Sequence, residues 1–260
     1  MGHRIGADTV RKELVKLGFS RQFNRKTDEG SKHPDRNAQF EYINTKVVAA
    51  QARAQPVISV DTKKRELIGN FKNSGREWRP RGNPVLVNEH DFRDDELGVA
   101  IPYGVYDLMH NEGWVSVGID HDMAQFATAT IEQWWFKMGR HAYPNAPKLM
   151  ITADGGGSNG SRNHLWKWSL QQLADRIGLE IAVSHFPPGT SKWNKIEHKM
   201  FSYISQNWRG VPLISHEAIV QLIGSTKTTK GLEIQAQMDF RHYEKGKEVD
   251  EEDFRGISII

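Results

Sequence analysis

Five short apolar segments set between amphipathic stretches constrain this chain more than any other feature. Residues 57–60, 67–68, 114–119, 149–151 and 179–183 are too short to be helices and read as buried or half-buried strands. Apolar residues at helical spacing fill most of the intervening sequence, over about 123–138, 162–177, 191–208 and 216–225. Two further helices precede the first strand. One is capped by Asp8 and Thr9 and stopped by Gly18, with Val10, Leu14 and Leu17 on one side; the other runs from Asp35 to about Ala54. This order predicts an α/β fold on a mixed five-stranded sheet flanked by helices. Short links join the first three strands antiparallel, and helical crossovers add the fourth and fifth in parallel. The charged turn Lys63-Lys64-Arg65-Glu66 predicts that the first two strands pair with each other. Residues 73–95, rich in Gly, Pro and charge, read as a long loop.

Composition narrows the chemistry. The chain has no Cys, which excludes disulfides, thiolate nucleophiles and Cys-bearing zinc sites. No apolar run approaches the roughly 18–20 residues that span a bilayer, and no signal-type apolar core follows Met1. A formal net charge of +3 and a pI near 9.0 permit a nucleic-acid partner without requiring one. The eight Trp residues read as core packing.

Three carboxylates stand out by position. Asp61 follows the strand at 57–60, and Asp154 follows the fourth strand, just before the glycine-rich stretch 155–160. Either alone could simply open a turn. On parallel neighbouring strands, both would emerge at the sheet edge where α/β proteins bind ligands. Glu197 lies on the stripe Asn194, Glu197, Phe201, Ile204, Trp208, a row otherwise buried beyond its start. A carboxylate there needs a metal or a partner such as Lys192, Lys195 or Lys199. Two aspartates and a glutamate from separate elements form a hard-oxygen donor set suited to Mg²⁺ or Mn²⁺. Two such ions clamp the attacking and leaving oxygens of an in-line phosphoryl displacement.

Four stretches carry a resemblance: 57–73 (VISVDTKKRELIGNFKN), 75–80 (GREWRP), 151–162 (ITADGGGSNGSR) and 185–198 (HFPPGTSKWNKIEH). Together they resemble the Rhodopirellula-type transposase family, DDE transposases of the RNase H-like, retroviral-integrase superfamily. The last stretch is also similar to the Pro-Pro…Asn-x-Ile-Glu segment of mariner-like transposases. The resemblance runs from about residue 8 to 245 and places Asp61, Asp154 and Glu197 on the three metal-binding carboxylate positions. It implies an RNase H-like catalytic domain that uses two Mg²⁺ or Mn²⁺ ions for DNA strand cleavage and transfer. Water attacks first to free a 3′-OH, which then attacks target DNA. By the same resemblance, Asp61 would be shared by the two ions, with Asp154 and Glu197 each holding one of them. The implied partners are transposon ends and target DNA, with a homodimer in a synaptic complex, no membrane, and a bacterial cytoplasmic, nucleoid-associated setting.

Members of this family carry a longer N-terminal region of helix-turn-helix character. Here the expectation is a remnant and linker over 1–33, a connecting helix over 34–55, the catalytic domain over 56–225 and a C-terminal extension over 226–260. The N-terminal helix then lacks the second helix that a reading module needs. The rival reading is a truncated, catalytically inert DNA-binding remnant. A nuclease on RNA–DNA hybrids and a glycoside-cleaving protein with paired carboxylates rank behind it. Arg76, Arg79, Arg81, Arg162, Lys192 and Lys195 are candidate phosphate contacts, though each taken singly reads first as surface charge. Asp120, His121 and Asp122 follow the third strand, where they are weaker candidates to stand near the metal and read first as a turn with Asp122 capping the next helix. His198 adjoins Glu197 and reads as a neighbour of the site or an exposed side chain.

Overall fold

A computed structural model describes residues 6–21, 34–187 and 193–258. The chain divides into two compact units, Met1–Lys32 and His33–Ile260. The described part of the first is one helix, α1 (Ala7–Lys16), with Gly6 at its N-cap and every residue exposed. Asp8 sits in the first turn, where a carboxylate complements the helix dipole, rather than capping it.

The second unit starts with α2 (Arg36–Ala52), which leads into β1 (Val57–Thr62) and the two-residue β2 (Glu66–Leu67). Strands β3 (Val99–Asp107) and β4 (Glu112–Gly118) follow, then α3 (Ala124–Trp134), which widens into a π turn over Trp135–Gly139 and ends in α4 (Arg140–Ala142). Next come β5 (Lys148–Ala153), α5 (His164–Ile177) and β6 (Glu180–His185). A second π turn, Glu197–Phe201, opens α6 (Ser202–Asn207). It is followed by α7 (His216–Gly224), β7 (Glu233–Asp239) and α8 (Glu251–Arg255). Among the described residues, no helix is long and apolar enough to cross a membrane.

The strands form one mixed sheet in the order β6-β5-β1-β3-β4-β7, with β2 on β3. β1, β3 and β4 are successively antiparallel, with β3 taking the place between β1 and β4 expected of the second strand, and β5 and β6 add in parallel beside β1, as the helical crossovers predict. All five expected strands are present, and β3 and β7 raise the total to seven. β3 carries Pro102 and Gly104, residues that read against a central strand, yet every residue in it is buried. β7 pairs in parallel with β4, so the sheet draws a strand from the stretch expected as the extension 226–260. The expected hairpin of the first two strands is a correction. β2 pairs with Val99 and Ala100, continuing along β3 beyond the residues that β1 takes. The 63–66 turn lacks the Gly or Asn that would reverse the chain, and the Lys63 N–H instead donates to Pro102 O.

Alternation divides the sheet into two faces. Ile58, Val60, Tyr103, Val105, Trp114, Leu149 and Ile151 face α3 and α5 and pack on Phe126, Ile131, Trp134, Trp166 and Leu173. Tyr106, Val115, Val117 and Ile234 face the other way, onto Ile196, Met200, Phe201, Ile204, Trp208 and α7. The Trp residues are largely core, as expected, with Trp134 and Trp166 fully buried; Trp78 is fully exposed. Each fully buried Val, Leu, Ile, Phe or Met side chain in these layers contributes roughly 1.5–3 kcal/mol of hydrophobic stabilisation, which holds the sheet as a platform for what its second face carries.

Candidate active site

Asp61 and Asp154 are made neighbours by backbone pairing. β1 and β5 pair Val57 with Met150, Ile58 with Ile151 and Ser59 with Thr152. The same register continued by two residues sets Asp61 level with Asp154. Alternation puts both on the face of Val57 and Met150, opposite to Ile58 and Ile151. That is the face onto which the helix with Glu197 packs.

The Glu197 helix lies low on the sheet because two strand positions have no side chain. A Cβ on Gly104, which pairs with Asp61, would lie 2.6 Å from Met200 Cε, 2.7 Å from Phe201 Cε1 and 2.9 Å from Ile196 Cδ1. A Cβ on Gly113 in β4 would collide with Met200 Sδ. The buried stripe holds as read: Asn194, Phe201, Ile204 and Trp208 are buried, and Glu197 is half-buried at its start.

Burial and like charge shape the three carboxyls. Asp61 is pushed from the ordinary 3.8 to about 8, first by burial and then by Asp154 and Glu197, against hydrogen bonds from Thr62 and Asn194. The Thr62 N–H donates to Oδ1 at 2.8 Å and the Asn194 amide to Oδ2 at 2.9 Å. Glu197 is also raised by burial, with Lys63 and a hydrogen bond with Asp61 opposing. Asp154 is raised by burial, opposed by the Gly156 N–H and by His185. A proton held on Asp61 at neutral pH therefore stands where a cation would relieve the same repulsion.

Several residues to which the sequence assigned no role at the site complete the surroundings, and Asp122 joins them from outside its expected cap. Lys63 is buried, pairs with Glu66 at 3.0 Å and lies 4.3 Å from the Trp208 ring. The loop after Asp154 turns through Gly157 in the left-handed region and is pinned at Asn159. Tyr103 Oη donates to Asn159 Oδ1 at 2.6 Å, and His185 Nε2 donates to Asn159 O at 2.7 Å. Because that carbonyl only accepts, Nε2 carries a proton, and burial holds the His185 pKa below the ordinary imidazole value. Asp122 does not cap α3, whose N-cap is Met123; it accepts the Thr62 hydroxyl at 2.9 Å and its charge raises Asp154. Ser59 and Asn194 lie fully buried beneath Asp61. The one sequence signal for them is a polar residue at a buried position: Asn194 opens the stripe, and Ser59 breaks the run 57–60.

Of the candidate phosphate contacts, Arg76, Arg79 and Arg81 are exposed on the stretch between β2 and β3, and Arg79 is bridged to Glu77 at 2.7 Å. Arg162 and Lys195 are exposed, as is His198, while Lys192 lies outside the described residues. Among the described residues, no three His, Asp or Glu side chains stand as a ready-made metal-ligand group. The donor set nevertheless fits a hard divalent cation. It offers carboxylate oxygens only, partly desolvated, with their charges set against one another.

No curated protein matches the chain. Among solved structures, a Mos1 transposase paired-end complex with left transposon end is 11% identical, with a TM-score of 0.48 over 82% of this chain and 60% of that one. A Mos1 mariner paired-end complex with Mn is 11% identical, with a TM-score of 0.45 over 84% and 62%. A simian T-cell lymphotropic virus intasome gives 11% and 0.30 over 59% and 55%. The chain thus spans about 60% of the length of the Mos1 chains it matches. A family model described as the Rhodopirellula transposase DDE domain matches residues 1–260. With that match running the whole length of the sequence, the chain belongs to the Rhodopirellula family of DDE transposases.

Proposed function

We propose that this chain cleaves and joins DNA strands at transposon ends, and that Asp61, Asp154 and Glu197 are its catalytic carboxylates. The observation that carries the reading is the β1–β5 register, which levels Asp61 with Asp154 on the face where Glu197 interacts electrostatically with both. These three side chains would hold two Mg²⁺ or Mn²⁺ ions. When bound, such ions make a water or a 3′-OH nucleophilic and neutralise charge on the leaving oxygen.

The chain's own residues supply orientation and exclusion. The Thr62 N–H and the Asn194 amide fix both oxygens of Asp61, and Gly156 N–H holds Asp154 Oδ1 at 3.3 Å. The buried layer beneath, from Ile196 to Trp208, keeps water from the inner side of the site. Lys63 offsets part of the negative charge at Glu197. The exposed Arg76, Arg79, Arg81, Arg162 and Lys195, together with Lys192, are the proposed phosphate contacts, and DNA, bound by a pair of chains, is the proposed partner.

The test is cleavage of supercoiled plasmid carrying the ends of the encoding element, with Mn²⁺, by wild type, Asp61→Asn, Asp154→Asn and Glu197→Gln. Cleavage and joined products in wild type, lost at least a hundredfold in each variant, are expected. Cleavage that survives in all three variants would refute the assignment.

A further inference from the structure

The hydrogen bonds beneath Asp61 run in one direction. The Ile196 backbone N–H donates to Ser59 Oγ at 3.2 Å, the Ser59 hydroxyl donates to Asn194 Oδ1, and the Asn194 amide donates to Asp61 Oδ2 at 2.9 Å. Ser59 and Asn194 are both fully buried. Ser59 Oγ already accepts from Ile196, so its single proton decides which end of the Asn194 amide faces it. A flipped amide would leave that proton without an acceptor and set Oδ1 against an ionised Asp61. The first fault falls on groups that are fully buried, where an unmet polar group costs about 1–3 kcal/mol.

The same serine ties two elements together. Ser59 lies two residues before Asp61 on β1, and its hydroxyl holds Asn194 and Ile196, which lie just before Glu197. The separation between the Asp61 and Glu197 side chains is therefore referred to a single hydroxyl. An apolar pair could fill the same space but would leave the Ile196 N–H and the Asp61 Oδ2 without these partners, so what the pair supplies is polar contact rather than packing.

We propose that Ser59 and Asn194 are positioning residues: a directional relay that orients the Asp61 carboxylate and sets its spacing from Glu197 for divalent-ion binding. This rests on the reading of Asp61 and Glu197 as ion-holding carboxylates.

The experiment is calorimetric titration of the whole chain with Mn²⁺ alone, in wild type, Ser59→Ala, Ser59→Thr, Asn194→Leu, Asp61→Ala and Ile223→Ala. Ile223 is fully buried in α7 and outside the relay, so its truncation supplies loss of stability without loss of the relay. Expected are a tenfold or greater weakening of Mn²⁺ binding in Ser59→Ala and Asn194→Leu, and recovery to within threefold of wild type in Ser59→Thr. Ile223→Ala should bind as wild type. Asn194→Leu fills the same space without a polar group and carries the test should Ser59→Ala not fold. Wild-type affinity in both relay variants, with binding lost in Asp61→Ala, overturns the relay and leaves the site reading standing. Equal weakening in Ile223→Ala also overturns it, since that would mark a general loss of stability. Mn²⁺ binding untouched by Asp61→Ala overturns the site reading and the relay together.

Discussion

Replacing Asp61 with Asn should make the metal-free protein more stable at neutral pH while destroying its proposed chemistry. In the native state the Asp61 carboxyl holds its proton up to about pH 8, whereas in the unfolded chain it releases it near the ordinary 3.8. Below that lower value both states are protonated and the residue costs nothing. Between the two values the unfolded state alone gives up the proton, so the wild-type folding equilibrium weakens by up to tenfold per pH unit; above about 8 the cost is constant. Asn has no such proton. From pH 5 to pH 7 the variant should therefore gain on wild type by up to a hundredfold, or about 3 kcal/mol. One loss offsets this. A single Asn carbonyl oxygen can replace only one of the two carboxyl oxygens that accept from Thr62 and Asn194. That loss is worth about 1 kcal/mol and does not vary with pH, so the slope, not the absolute difference, is diagnostic. Urea unfolding in EDTA at pH 5, 6 and 7, followed by tryptophan fluorescence, measures it. Saturating Mn²⁺ should then reverse the order at pH 7, because only the native wild type gains binding energy. A difference between the two proteins that stays flat from pH 5 to pH 7 would refute the idea that burial and the neighbouring carboxylates hold the proton on Asp61.

Other outcomes follow from the same geometry. Asp154→Ala should abolish a Mn²⁺-dependent rise in melting temperature, read by scanning calorimetry; an unchanged rise would remove Asp154 from the site. Gly104→Val should cost about 2–3 kcal/mol in urea unfolding and weaken Mn²⁺ binding, because its side chain meets Met200, Phe201 and Ile196 and lifts Glu197 off the sheet. Lys63→Met should cost roughly 2 kcal/mol, since it leaves Glu66 unpaired and removes the cation beside Glu197; a double-mutant cycle with Glu66→Gln reports how much of this belongs to the pair. The triple variant Arg76→Ala, Arg79→Ala, Arg81→Ala should flatten the dependence of log affinity for duplex DNA on log salt by up to about 3, roughly one for each phosphate no longer neutralised. Arg79 should contribute least, as it is already bridged to Glu77.

What the sequence could and could not say divides along physical lines. Strands with continuous apolar runs, such as β1 and β5, were legible because both of their faces are covered. So was the Glu197 stripe, because a helical period survives one odd residue. β3 was not, since Pro102 and Gly104 argue locally against a strand and only tertiary pairing overrides them. Gly104 is also the reason: the position is glycine so that the Glu197 helix can approach, a demand from a segment some ninety residues away in the chain. β7 alternates cleanly, but its parallel place beside β4 is a matter of topology that no local pattern encodes. At the site, the carboxylates announced themselves by falling at strand ends. Ser59 and Asn159 did not, and Asp122 and Asn194 were legible without their roles, because small polar residues near turns are common and their partners lie far off in sequence.

The three carboxylates differ in how firmly they are mounted. Asp61 and Asp154 each stand two residues beyond the last rung, Ser59–Thr152, of one backbone ladder, so the gap between them is set by a parallel sheet. The segments between β1 and β5 can lengthen without altering that gap, as doubling a flexible loop costs only about 0.6 kcal/mol of closure entropy. Glu197 is mounted otherwise, on a helix that shares no ladder with β1 and rests on side chains alone. Mechanically the site is a fixed jaw and a sprung one. Drift in the sequence of the long connections should leave the fixed jaw untouched, whereas a methyl group added or removed among Ile196, Met200 and Phe201 shifts the sprung one directly.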